Sequence, residues 1–240
     1  PVVVTETAGR EAGGFEALVA FAEAWHIPVV EPDSAVCGNF PRTHPLHAGS
    51  DIEPWMAEAD LILLVNCRAP FYPPSRRPSK AKVVVVDQVP QRPHIAYQVL
   101  FADAYLEGDV TNSLRQLAKR AKDLDQVTVT ARRAAQEERH TAEREAIAAA
   151  EARAERAPGV DPVLVAATLR QLLSGRNGIV VDETITHSRT VRRHLRTDAP
   201  DSYFYVQGGL GQGIAVALGV ALAARDRPVV LTIGDGAFTY

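Results

Sequence analysis

The chain has 240 residues, 46% of them hydrophobic, with 26 lysines and arginines against 29 aspartates and glutamates and a formal net charge of -3. That length and apolar content suffice for one large or two small packed domains, and the balanced charge excludes both a polybasic nucleic-acid surface and an acidic disordered tail. Two cysteines, Cys37 and Cys67, offer neither a disulfide framework nor metal-ligand spacing, and no apolar run approaches a membrane span. The expectation is therefore a cytoplasmic protein with buried thiols and neither membrane nor nucleic acid as partner.

The first part alternates apolar strands with helices. Strands are predicted at 1–4, 27–30, 61–65, 83–86 and 104–106. Helices are predicted at 15–25, in a short segment ending over 57–60, and at 110–122. Near-continuous apolar strands separated by helices imply a parallel sheet covered on both faces. The composition then shifts: residues 131–158 are almost entirely Ala, Arg, Glu, Gln and His without an apolar stripe, which reads as a solvated helical linker ended by Pro158-Gly159.

The α/β pattern restarts beyond it. Asp161-Pro162 suits the N-cap and first position of a helix to residue 173. Strands are predicted at 178–181, 203–206 and 229–233, with helices at 186–195 and 213–225. The fold class is thus α/β, with two doubly wound, Rossmann-like parallel-sheet domains, the second incomplete. Residues 1–122 form the first domain, 123–158 the charged linker, and 159–240 the start of the second. Pro1 in place of an initiator Met and the stop at Tyr240 suggest an internal piece of a longer protein, inactive by itself.

Chemistry concentrates near the C-terminal end. Strand 229–233 runs into Gly234-Asp235-Gly236, one helix after the turn Gly208-Gly209-Leu210-Gly211-Gln212-Gly213. Glycines let the backbone crowd a phosphate while a single Asp faces a cation, and a glycine turn opening a helix suggests phosphate on the helix amides. A dinucleotide fingerprint fails on spacing: started at Gly209 it needs a small residue where Ile214 stands, and started at Gly211, one where Val216 stands. Gly-Asp-Gly alone would be an ordinary turn; the pairing with the upstream turn is what makes it specific. His44 and His47, lacking a third ligand, are expected in a loop packed near the cleft and not at a metal, and Trp25 and Trp55 as core and interface aromatics.

On these motifs, residues 203–240 resemble the diphosphate-binding domain of the acetolactate synthase and benzoylformate decarboxylase superfamily of thiamine diphosphate enzymes. Residues 1–122, with Asn39-Phe-Pro-Arg-Thr-His-Pro-Leu-His-Ala-Gly49, resemble its central domain through weaker motifs. The resemblance implies thiamine diphosphate and magnesium as cofactors. Asp235 would ligate the metal, with Gly234, Gly236 and the Ala237 amide beside the diphosphate. Leu210 would be the catalytic prop that bends the cofactor, Gly208 would hold its amino group by a carbonyl within the Gly208-Gly209 turn, and Thr186 and His187 would reach the terminal phosphate. For those last two residues, a helix cap and a surface histidine is the alternative.

The same resemblance places the catalytic Glu in an N-terminal domain of a partner subunit, and a second metal-ligating Asn beyond Tyr240. The loop 66–74 has neither the active-site His of benzoylformate decarboxylase nor the Arg-Phe-Asp-Asp-Arg stretch that serves FAD in acetolactate synthases, so FAD is not expected. The implied activity is decarboxylation, lyase chemistry or carboligation of small 2-oxo acids by a homodimer or homotetramer with the active site at its interface. An acetolactate synthase-type transferase and a non-catalytic structural or regulatory paralogue are the alternatives.

Overall fold

Strands that are nearly continuous in apolar residues have no face to give to water, and the fold buries the central ones from both sides. The computed structural model describes residues 1–240 apart from the side chain of Asp123. Strands β1 (Val2–Thr5), β2 (Val29–Val30), β3 (Leu61–Val65), β4 (Lys82–Asp87) and β5 (Ala104–Glu107) form one parallel sheet in the order β2-β1-β3-β4-β5. Alternate residues supply two separate cores. Val2, Val4, Ile62, Leu64, Val83 and Val85 pack with Trp55 and Met56 of helix α2 (Glu53–Glu58) on one face. Val3, Val29, Leu63, Val65 and Val86 meet Leu18 and Phe21 of α1 (Gly14–Trp25) and Leu114 of α3 (Val110–Arg120) on the other. This is a doubly wound sheet, with its strand order reversing between β1 and β3.

Helix α4 spans Gln126–Ala154, starting earlier than its composition suggested. Its N-cap, Asp125, accepts the Thr128 amide at 2.9 Å, so the cap, not the onset of Ala-rich sequence, sets the start. Only Gln136, Ile147 and Ala154 of this helix are buried. Ion pairs carry the rest: Arg139–Glu58 to α2, and Glu143 and Glu151 to Arg193 and Arg170 beyond it.

The second sheet has three parallel strands in the order β7-β6-β8: β6 (Ile179–Glu183), β7 (Tyr203–Tyr205) and β8 (Val229–Ile233). Helices α5 (Pro162–Leu173) and α6 (Ser188–Leu195) cover one face, where Leu169, Leu173, Val191 and Leu195 pack on Val180 and Tyr203. Helix α7 (Gln212–Ala223) lies against β6 and β8. Its apolar residues reach well beyond that contact, with Leu218 61% and Leu222 68% exposed. The main departures from the sequence reading lie around β6, which continues through Asp182 and Glu183, and before α6, where a single 3₁₀ turn, Ile185–His187, intervenes; β7 and α7 differ by one or two residues at their ends. A short helix α8 (Asp235–Phe238) follows β8.

A loop of the first sheet docks on the second. The Tyr205 amide donates to the Val36 carbonyl at 2.9 Å and the Gly38 amide to Tyr203 at 3.2 Å, extending the free edge of β7. The buried Arg192 guanidinium of α6 donates to the carbonyls of Pro32, Asp33 and Ala35. No helix among the described residues is long and apolar enough to cross a membrane.

Candidate functional site

Parallel strands end together, so the loops after β6, β7 and β8 share one edge of the second sheet. The register pairs Glu183 with Ile233 and Asp182 with Tyr205. This brings three groups of sequence-predicted residues to one edge: Thr186 and His187 after β6, Gly208, Gly209 and Leu210 after β7, and Gly234, Asp235, Gly236 and Ala237 after β8. Thr186 and His187 are exposed in the 3₁₀ turn, and Leu210 is 50% exposed. Gly208 and Gly211 adopt φ of 111° and 86°, left-handed values that disfavour any side chain. Beside Gly211 the chain is tight: a Cβ there would lie 2.7 Å from Tyr240 Cβ and 3.4 Å from the Ala237 carbonyl, so the glycine turn touches the segment after β8. Beside Gly208, Gly234 and Gly236 a Cβ would meet nothing within 4 Å.

Asp235 is exposed at the first position of α8. No group of three or more His, Cys, Asp or Glu residues suited to a metal occurs among the described residues.

Two acids that the sequence reading placed just after the strand form the end of β6 itself. Asp182, fully buried, accepts the Tyr203 hydroxyl at 2.7 Å, the Thr232 hydroxyl at 3.1 Å, and both the amide and hydroxyl of Thr184. Burial, followed by this carboxylate, pushes the Tyr203 phenol well above its usual pKa. Glu183, also fully buried, turns to the other face and accepts the amides of Gln212 at 3.2 Å and Gly213 at 2.8 Å. That contact corrects one expectation. The α7 amides predicted to cradle a phosphate are already taken by a side chain, and a second anion there would face the Glu183 charge.

A buried polar knot sits at the carboxyl end of the first sheet. The Asn39 side-chain amide donates to the Glu6 carbonyl, the Cys37 carbonyl and Glu31 Oε1, and its oxygen accepts the Gly9 amide. Burial alone would raise the Glu31 carboxyl. Arg42 at 3.2 Å, His47 at 3.2 Å and the Asn39 amide outweigh it and hold the group at about 2. His44 packs edge-on against Phe40 and reaches Glu23, so the two loop histidines are engaged by carboxylates. Trp25 donates its indole N–H to Leu117, and Trp55 lies under Arg139. Both cysteines are buried free thiols, and burial pushes Cys37 up to about 12.

Between the first sheet, α4 and α6 lies a cavity of about 1260 Å³, lined by Arg42, His47, Trp55, Phe71, Arg139 and Arg192 among others. It reaches the segment leading into the glycine turn at Gln207, the residue before Gly208. The strand-end cluster is therefore the chemically informative site, with the cavity at its flank.

Residues 1–117 match the central domain of thiamine pyrophosphate enzymes, and residues 184–240 match their C-terminal TPP binding domain. Over 254 aligned residues the chain is 30% identical to the benzoylformate decarboxylase of Pseudomonas aeruginosa, covering 100% of this chain and 44% of that protein. A thiamin diphosphate-dependent enzyme isolated from Mycobacterium smegmatis superposes with a TM-score of 0.69 at 25% identity, over 100% of this chain and 46% of that one. The thiamine diphosphate-dependent 4-hydroxybenzoylformate decarboxylase of Rhodococcus jostii RHA1 has a TM-score of 0.73 at 24% identity, over 100% of this chain and 44% of that one, a likeness of fold alone. The chain thus spans less than half the length of each of these relatives.

Proposed function

Because the chain belongs to the thiamine pyrophosphate enzyme superfamily, we propose that it forms the central and diphosphate-binding parts of an enzyme that decarboxylates small 2-oxo acids. Residues 1–122 make the central domain, 123–158 the linker, and 159–240 the diphosphate-binding part. The observation that carries this reading is the shared strand edge, where an exposed carboxylate, Asp235, is flanked by glycines 234 and 236 and shares that edge with Gly208, all three with open space beside them.

The residues fit the implied group. Magnesium takes oxygen ligands in near-octahedral geometry and is commonly held by one or two carboxylates plus phosphates, which suits an exposed Asp235 between glycines that leave space for phosphate oxygens. When bound, thiamine diphosphate supplies a carbon nucleophile and an electron sink for loss of carbon dioxide from a 2-oxo acid. The chain's own share is to bind and orient. Asp235 would hold the metal, and Gly234, Gly236 and the Ala237 amide would lie beside the diphosphate. Thr186 and His187 would donate a hydroxyl and an imidazole N–H to the terminal phosphate. The Gly208 carbonyl and the Leu210 side chain, with Gly209 between them, would orient the group. The cavity flanking Gln207 offers the substrate a concave, partly aromatic surface.

Asp235→Ala tests the reading. In the full-length protein it should abolish magnesium-dependent retention of thiamine diphosphate, measured as thiochrome fluorescence after desalting. Retention equal to that of the parent would refute the assignment. With cofactor retained by the parent, a panel of 2-oxo acids then separates a decarboxylase, which releases aldehyde, from an acetolactate-type carboligase. We assign the homo-oligomer as the active form, with the site completed by a partner subunit.

A further inference from the structure

The residue that fixes the cofactor cradle need not touch the cofactor. Glu183 joins the two halves of the strand-edge site. Its carboxylate accepts the Gln212 and Gly213 amides immediately after the glycine turn. Its main-chain carbonyl accepts the Gly234 amide at 3.3 Å, one residue before Asp235. The side chain is fully buried and the fit is close: a methyl on Gly213 would lie 2.6 Å from Oε2 and 3.0 Å from the Glu183 Cβ. From this geometry we infer that Glu183 is the positioning residue that sets the distance between the Gly208–Leu210 turn and Asp235, an inference that rests on the proposed thiamine diphosphate site.

The geometry suits a carboxylate. Two N–H donors converge on this position, and Glu183 meets each with its own oxygen. A glutamine of the same shape would turn an NH₂ donor toward one of them and leave that amide unpaired in a buried place. The negative charge also sits at the positive end of α7, which holds the helix start, and with it the turn, against the end of β6. An aspartate keeps the charge but withdraws it by one methylene, so it should restore part of the contact.

The experiment uses the full-length protein, with calorimetric titration of thiamine diphosphate at several magnesium concentrations for the parent, Glu183→Gln and Glu183→Asp. Removing a group that orients a ligating element commonly weakens binding roughly 10–100-fold. That loss is expected for Glu183→Gln, with a smaller one for Glu183→Asp and faster amide exchange at residues 212, 213 and 234 in the cofactor-free protein. A lowered melting temperature with unchanged affinity would overturn the inference, because it is what a purely structural acid would give. Should Glu183→Gln fail to fold, Gly213→Ala takes its place: its methyl displaces the carboxylate while Glu183 remains, and unchanged affinity there overturns the inference equally. A parent protein that binds no thiamine diphosphate would overturn the proposed function along with it. Binding by the parent and full affinity in the variants would remove only Glu183.

Discussion

Tyr203 and Asp182 face each other across neighbouring strands, the phenol donating to Oδ2 at 2.7 Å with both residues essentially inaccessible to water. Tyr203 also lies under the guanidinium groups of Arg42 and Arg192, at 5.8 Å and 6.0 Å from its ring centroid. One side chain therefore contacts a buried acid of β6, an arginine of the loop that follows β2 and an arginine of α6.

Tyr203→Phe keeps the ring and its cation contacts and deletes only the hydroxyl. Asp182 retains its threonine partners but loses its shortest contact to a neighbouring strand. Removing one partner of a buried, charge-assisted hydrogen bond costs about 1–3 kcal/mol, and urea unfolding should show a drop of that size without a change in slope. A midpoint identical to the parent's would mean that Asp182 is satisfied by Thr184 and Thr232 alone.

Arg192 sets how firmly the two sheets are joined. Its donors go to three carbonyls of the docking loop, Pro32, Asp33 and Ala35. Arg192→Ala leaves these carbonyls without that partner and removes the cation over Tyr203 and Tyr205. The expected result is separation of one calorimetric transition into two, since cooperativity depends on contacts between the units. A single, merely shifted transition would show that the pairing of 36–38 with β7 suffices.

Acid should weaken the polar knot through Glu31. Its folded pKa, about 2, is depressed below the ordinary value of 4.5. The unfolded chain therefore takes up the proton first, and the stabilisation is complete above pH 4.5 and lost as pH falls toward 2. Glu31→Gln should flatten stability against pH across that window. It should also destabilise the neutral protein by roughly 3–5 kcal/mol, because Arg42 is left buried without its counter-charge. Denaturant midpoints between neutral pH and pH 3 measure both effects, and parallel curves for parent and variant would contradict the assignment.

How much of this was legible in sequence follows from the range of each interaction. Segments 61–65 and 229–233 coincide with β3 and β8, because a short, mostly apolar, β-branched run with abrupt ends, at Asp60 and Asn66 or at Pro228 and Gly234, leaves few alternatives. The motif pair found the strand edge because glycine and Asp spacing is local. Asp182 and Glu183 were placed outside β6 because acids are poor strand formers. Only the approach of Tyr203, Thr232 and the α7 amides makes their burial tolerable, and those partners lie 21 or more residues away. The docking of loop 32–38 onto α6 and β7 is likewise tertiary, 157 or more residues distant for each of the Arg192 bonds, and no local pattern signals it. Asn39 was quoted within a motif, yet its three acceptors at Glu6, Cys37 and Glu31 emerge only when β1 and β2 lie side by side.

Leu210 gives the sharpest test of how the site would work, because its proposed role separates binding from chemistry. The side chain is half exposed on a turn fixed by glycines at φ 111° and 86°, so truncating it creates no core cavity and should leave stability nearly unchanged. If it props the cofactor in a bent form, Leu210→Ala should retain thiamine diphosphate at near-parent stoichiometry. Exchange of the thiazolium C2 proton should slow by about 10-fold or more, because misplacing reacting groups even slightly removes much of the proximity advantage. Quenched-flow exchange in deuterium oxide, read by proton NMR, reports that rate directly on the full-length protein. Loss of the cofactor would instead assign Leu210 to binding, whereas parent-like exchange with cofactor bound would remove it from the mechanism.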